Sequence, residues 1–371
     1  MNKKTICIFD GAGVDFNGDS INKGPLGGAE TCVIQIAKGM TARGFNVFIF
    51  NFTNNPGVFD GVHYMHHSEI DFMKKFHTDL FVIVRSTKIA AEFRFKEYSI
   101  DKIALWLSDF AKNAIHANIV KASEKVDYII AKSEWHMQDI LNMYPSISKE
   151  KFVILRNGIN LSLFDGDKQI SPFKNRAALM YSSTLFRGLD ILLEVFPKIK
   201  KECPTATLHI YSSLKLYGAA WSVEDLKYQP LYDKAKVMEG VTYHGSVRQK
   251  ELAQAYCNCG ILAYPNTYPE TSCITVMEAM AAGCPVVSTF LAALPEAIPL
   301  NCGFLRPPPS TTQEYKDWFV DRIVALIKDE NMFATFSETC KLTARMYGWD
   351  YRVQDWVKTF FPNQISMNQL I

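Results

Sequence analysis

The sequence predicts an α/β protein built from two doubly wound parallel sheets. Three observations carry that expectation. Short apolar runs of strand length alternate with amphipathic stretches of helical period along almost the whole chain. The 371 residues leave room for two α/β domains of ordinary size. The stretch from Ala263 to Ile298 also reads as one complete strand, loop, helix and next strand.

In the first half, Ile6–Phe9 is a short buried strand. A glycine-rich loop (GAGVDFNGDSINKGPLGGAE) follows and leads into an amphipathic helix, Ala29–Arg43, with Val33, Ile36, Ala37 and Met40 on one face and Gly44 after its end. Gly11 and Gly13 begin like a dinucleotide fingerprint. The third glycine would fall at Phe16, however, and the strand Asn46–Phe50 runs into Asn51 rather than an acid, which excludes that reading. Strands Asp79–Val84, Ile103–Leu107 and Tyr128–Ala131, with helices between them, continue the sheet. His63, His66 and His67 have no acid or cysteine at ligand spacing, so no metal is expected there, and Phe72–His77 reads as an amphipathic helix. The polar run Leu161–Arg176, with Gly and Pro, places the boundary. The expected domains are 1–165, 166–345 and a C-terminal helical segment, 346–371.

The second half opens with strand Ala177–Tyr181, the loop Ser182–Gly188 and helix Leu189–Lys201. Strand Thr207–Ile210 and the segment Val241–Val247 follow. Cys257 and Cys259 lack a second pair at zinc spacing and read as core. Strand Gly260–Tyr264 ends in a Pro-bounded loop containing Glu270. A helix from about Ser272 then buries Val276, Met277, Met280 and Ala281 and carries Glu278 about two turns in. Gly283 and Pro285 stop it before strand Val286–Ser288. Arg306–Pro309 reads as a stiff linker and Trp349–Phe361 as a final helix.

The chemistry concentrates after Tyr264. Strand-to-helix turns of open α/β sheets bind ligands, because amides at the helix start are unpaired. Those of Thr271, Ser272, Cys273 and Ile274 can hold an anion such as a diphosphate. Carboxylates repel phosphate but accept hydrogen bonds from paired hydroxyls, so Glu270 and Glu278 suit a ribose or a hexose. Together they describe a nucleotide-sugar site.

The spacing Glu270-x7-Glu278 inside PE…EAMAAGCPVV resembles the retaining glycosyltransferases of the GT-B fold, family 4 (glycosyl transferases group 1). So do the turn Gly27-Gly28-Ala29-Glu30, the segment Ser133–His136 and the segment Asn157–Asn160. The resemblance covers nearly the whole chain. It implies two Rossmann-like domains facing a cleft, with the C-terminal helix crossing back to the first. It implies retaining transfer of a sugar from a UDP-, GDP- or dTDP-sugar to an acceptor hydroxyl on a glycan, lipid or small molecule. Glu278 would hold the ribose, Arg187, Ser183 and the helix amides the diphosphate, and the segment around Val247 the nucleobase through backbone bonds. Glu270 would hold the transferred sugar, while Gly27 and Gly28 approach the donor from the opposite domain.

Two departures stand out. Ser108 occupies a position where many members carry a histidine, followed here by Asp109. A serine cannot serve as a base near neutral pH, which leaves Asp109, His116 or the leaving diphosphate to take the proton. Arg187 is the lone cation where relatives place two, with Arg85, Arg156 and Arg248 as candidate supplements. There is no Asp-x-Asp at a crevice strand end, and members of the family need no metal, so neither metal nor cofactor is expected. A non-catalytic sugar-nucleotide or glycan-binding protein and a GT-B UDP-sugar epimerase are the alternatives.

The net charge of +2 gives no basic surplus for nucleic acid. Nine cysteines, an odd number without framework spacing, favour a reducing compartment. The start MNKKTICIFD is too short in apolar residues for a signal peptide, and no apolar run approaches the roughly 20 residues of a membrane span. A cytoplasmic protein is expected. Peripheral membrane contact stays open, because many relatives act on lipid-linked acceptors.

Overall fold

The computed structural model describes residues 3–24, 26–164, 175–214 and 225–364. Contacts divide the chain into two units: Met1–Ile21 with Gly28–Asn157 and Trp349–Ile371, and Asn22–Gly27 with Gly158–Gly348. The expected boundary at 165/166 lies outside the described residues.

The first unit contains β1 (Thr5–Asp10), β2 (Asn46–Asn51), β3 (Gly57–Phe59), β4 (Val62–His66), β5 (Leu80–Val84), β6 (Ile103–Trp106), β7 (Tyr128–Ala131) and β8 (Phe152–Ile154). They form one sheet in the order β3-β4-β2-β1-β5-β6-β7-β8. Every pairing is parallel except β3 with β4, an edge hairpin that pairs Gly57 with Tyr64 and Phe59 with Val62. β1 and β5 are buried along their whole length, which is why they read as unbroken apolar runs instead of alternating ones. Helix Gly28–Ala42 lies against helix Trp349–Phe360, so the C-terminal helix belongs to the first unit. The crossing is close: a Cβ on Gly39 would stand 2.4 Å from Val353 Cγ2. Trp356 anchors the contact, 1% exposed, with its ring 4.8 Å from that of Trp106. The stretch expected as an amphipathic helix at Phe72–His77 belongs instead to 3-10 turns over His67–Lys75. Phe76 stacks on Phe48 and Phe72 packs against it at a tilt, and that packing on the sheet sets its path rather than helical propensity.

The second unit contains β9 (Ala178–Tyr181), β10 (Thr207–Ile210), β11 (Val241–Tyr243), β12 (Ile261–Tyr264), β13 (Val286–Thr289) and β14 (Gly303–Arg306). They form an all-parallel sheet in the order β11-β10-β9-β12-β13-β14. Arg306, expected in a linker, is the last residue of β14. Helix Leu189–Glu202 buries Leu189, Leu192, Leu193, Phe196 and Ile199 against this sheet.

Candidate functional site

The first strand of the second unit, β9, lies in mid-sheet, with β10 and β11 on one side and β12, β13 and β14 on the other. The chain order therefore reverses between β9 and β12, and a crevice opens at the carboxyl ends of such a pair. The two loops leaving that point carry the predicted donor residues. They are drawn together at Gly188, whose φ is +106° and whose Cβ, if it had one, would lie 2.1 Å from the Pro265 carbonyl oxygen. Thr267 Oγ1 donates to Phe186 O at 3.1 Å and Thr275 Oγ1 to Ser182 O at 2.8 Å, tying loop to loop and helix to loop.

Across this junction Arg187 Nη1 donates to Glu270 Oε1 at 2.8 Å. The Tyr264 hydroxyl donates to the same oxygen at 2.7 Å, and burial raises the Tyr264 phenol well above its ordinary value, so it stays a donor. Ser183 Oγ lies 3.2 Å from that hydroxyl, and the Arg187 guanidinium stacks 4.1 Å from the centre of the Tyr268 ring. Glu278 is 5% exposed. Gln249 Nε2 donates to its Oε1, and burial pushes its pKa up to about 8. Without a ligand this carboxyl is therefore largely protonated at neutral pH.

The helix behind these residues begins at Ile274, later than expected, with Cys273 as its flanking residue. Glu278 is thus about one turn in, not two. The apolar run could not show where helical hydrogen bonding starts, because Thr271 and Ser272 belong to the tight turn after Glu270. Val247 lies in the loop after β11. The hydroxyls of Thr184, Ser212 and Ser246, in the loops after β9, β10 and β11, are buried without a partner among the described residues. Such hydroxyls are uncommon unless a ligand or water meets them.

In the first unit, Ser108 and Asp109 follow β6. The Asp109 carbonyl accepts from His116 Nε2 and from His136 Nε2, both at 2.8 Å, and its Oδ1 accepts from Asn113 Nδ2 at 3.1 Å. Lys132 N donates to His136 Nδ1 at 3.1 Å, which fixes that tautomer; burial holds His136 down to about 3 and lowers His116. These imidazoles position the Asp109 backbone as neutral donors. Gly27 is buried just ahead of helix Gly28–Ala42, which Gly28 opens. Of the candidate second cations, Arg248 Nε is held by Glu251 at 3.0 Å, and Arg85 by Asp10 and Glu30. Among the described residues one cluster has ligand geometry for a metal, His77, Asp79 and Asp101. Lys4 Nζ, 2.6 Å from Asp79 Oδ1, already supplies a cation there.

Residues 177–329 match the family model of glycosyl transferases group 1, a segment that includes Arg187, Glu270 and Glu278. The sucrose-phosphate synthase of Thermosynechococcus elongatus superposes with a TM-score of 0.75 at 15% identity, over 97% of this chain and 99% of that one. Anabaena HepE, solved with UDP-glucose, gives 0.72 at 19% identity, over 96% and 98%. The chain has the GT-B fold, and residues 177–329 belong to the group 1 glycosyltransferases. Sequence relatives are more distant in coverage. An uncharacterized glycosyltransferase of Methanocaldococcus jannaschii is 26% identical over 59% of this chain and 56% of its own length. A D-inositol 3-phosphate glycosyltransferase of Arthrobacter is 26% identical over 44% and 37%. The chain thus matches about half or less of these two relatives.

Within this GT-B chain several site neighbours escaped the sequence reading. Tyr264 ends an apolar strand and reads as core; only its hydroxyl, aimed at Glu270, distinguishes it. Gln249 opens a helix 29 positions before Glu278, and no local spacing links the two. Tyr268 lies in the PE-flanking loop, where its ring has no periodicity to announce it.

Proposed function

We propose that the chain is a retaining glycosyltransferase that moves a sugar from a nucleotide-diphosphate donor to an acceptor hydroxyl. One observation carries the reading: Arg187 and Glu270 meet at the switch point of the second sheet, beside a buried Glu278. Arg187 offers a guanidinium for diphosphate oxygens, with the hydroxyls of Ser183 and Thr184 and the amides of Thr271, Ser272, Cys273 and Ile274 around it. Glu270, already oriented by Tyr264, accepts from hydroxyls of the transferred sugar. Glu278 accepts from the ribose, and backbone groups near Val247 take the base. These donors are arranged before the substrate arrives, so they stabilise the charge that grows on the leaving diphosphate, usually the largest catalytic contribution. That diphosphate then takes the proton of the acceptor hydroxyl, since Ser108 cannot.

A UDP-sugar is favoured, because similar folds have been solved with UDP-glucose, in Anabaena HepE, and with UDP and GlcNAc, in a pneumococcal O-GlcNAc transferase. Gly27 and Gly28 complete the donor contacts in this reading. The reaction needs neither metal nor cofactor. The acceptor is a glycan or a lipid-linked sugar, used in the cytoplasm or at the inner face of a membrane. No described helix is long and apolar enough to cross one.

The test is a thermal-shift panel of UDP-, GDP- and dTDP-sugars on the wild type and Glu278→Ala, in EDTA, with donor hydrolysis followed in the same wells. One donor class should stabilise the wild type, leave the variant unshifted and be slowly hydrolysed. Binding without turnover, even with candidate acceptors, would instead favour a non-catalytic sugar-nucleotide binder, the reading to which the Ser108 departure points. No stabilisation by any donor removes the proposal.

A further inference from the structure

Lys132 is the first residue after β7 and is 2% exposed. A buried ammonium is ordinarily matched by a carboxylate, because taking an uncompensated charge out of water is costly. Lys132 faces none among the described residues. Its Nζ lies 4.1 Å from the centre of the Trp106 ring, and the ionisable groups that bear on it are Cys32 and Arg85. Burial pushes the ammonium down to about 8.

The neighbouring strands end in the same way. Arg85, directly after β5, has φ +59°. Its Nη2 serves Asp10 Oδ2 at 3.0 Å and Glu30 Oε1 at 2.7 Å, while its Nε is buried without a partner among the described residues. Trp106, the last residue of β6, buries its Nε1 without an acceptor as well. Among the described residues, β5 and β6 therefore end in buried donors without an acceptor, Arg85 Nε and Trp106 Nε1, and β7 is followed by an ammonium with no carboxylate beside it. They do so beside β1, where the order of the first sheet reverses and open α/β sheets take ligands. Orphaned buried donors are rare singly; two at adjacent strand ends, beside an unmatched ammonium, call for an oxygen-rich ligand. Arg85 is balanced by Glu30 and by Asp10, whose acidity burial weakens. Lys132 has no such balance, so the ligand that completes the set brings negative charge. The Arg85 side chain, 15% exposed, gives the way in.

We propose that the first unit binds an acceptor bearing an anionic oxygen group, a phosphate or a carboxylate, with Lys132 pairing to that group and Arg85 Nε and Trp106 Nε1 donating to its oxygens. The word acceptor rests on the glycosyltransferase reading; the anion site itself does not.

The experiment is a thermal-shift series on the full chain with glucose 6-phosphate and glucuronate, glucose as the uncharged control, and phosphatidate vesicles as the lipid source. It is run with and without UDP, which fills the donor diphosphate site. The anions should raise the wild-type Tm by about 2 °C or more at saturation, and glucose should not. Lys132→Met should be more stable than the wild type without ligand, because it removes an unmatched charge, and should lose the anion-dependent rise. Lys132→Arg should keep part of it. A rise confined to vesicles assigns the group to a lipid. No rise with any anion, or an equal rise in Lys132→Met, overturns the proposal. If Lys132→Met does not fold, protection of Lys132 from acetic anhydride by glucose 6-phosphate, read by mass spectrometry, decides; no protection overturns it. A UDP shift that survives while anions fail leaves the donor reading standing, and an anion rise without a UDP shift does the converse.

Discussion

Burial sets the chemistry of Glu278 before any ligand arrives. Among the described residues its carboxyl accepts one hydrogen bond, from the amide of Gln249, and the cost of desolvating the anion outweighs that single bond, so its proton is held up to about pH 8. In the unfolded chain the same group ionises near the ordinary 4.5. Between these values the unfolded state holds fewer protons than the folded one. The stability linked to this group is therefore complete below about pH 4.5 and is lost as the pH rises through about 8. Glu278→Gln removes the titration but keeps the shape. Urea unfolding at steps from about pH 5 to pH 8 should show the wild type losing up to roughly 4 kcal/mol relative to the variant. Parallel curves would mean that Glu278 is ionised in the folded protein throughout. The glutamates themselves were legible in the sequence as a spaced pair beside a helix. Their environments were not, because Tyr264 and Gln249 become neighbours only when β12 and two helices are assembled.

At the scale of elements, the loops after β9 and β12 act as one piece because Gly188 lets them touch. Gly188→Ala asks a side chain to occupy a left-handed backbone and to overlap the Pro265 carbonyl, 2.1 Å away. The substitution should cost about 3 kcal/mol in urea unfolding and weaken any UDP-induced thermal shift, since Arg187 is displaced from Glu270. An unchanged stability would show that the loops can part at little cost. The motif around Gly188 was visible as a loop opening a helix, but its contact with Pro265 was not. Strand lengths fared similarly: β7 was read residue for residue, whereas the edge strand β3 and the 3-10 turns at His67–Lys75 were missed. Both elements take their form from packing on an existing sheet instead of from a period of their own.

For the whole molecule, helix Trp349–Phe360 completes the first unit after the chain has run through the second. Trp356, with Val353, Val357 and Phe360, is buried. Trp356→Ala should cost about 3–5 kcal/mol and lower the urea midpoint. The UDP-sugar shift should persist, because Arg187, Glu270 and Glu278 all lie in the second unit. An unaltered midpoint would mean that the helix contributes little to the first unit.

The sequence alone determined the α/β class, because strands buried on both faces must be continuous apolar runs and amphipathic helices must cover them. It also determined the resemblance to group 1 glycosyltransferases, since the two glutamates, the helix between and beyond them and Gly283 lie within one continuous stretch. Only the tertiary structure decided the strand order, the pairing of Arg187 with Glu270 across 83 positions, and the unmatched charge of Lys132. Those depend on which backbone edges hydrogen-bond and which side chains lose water together, and residues far apart in the chain carry no local mark of either.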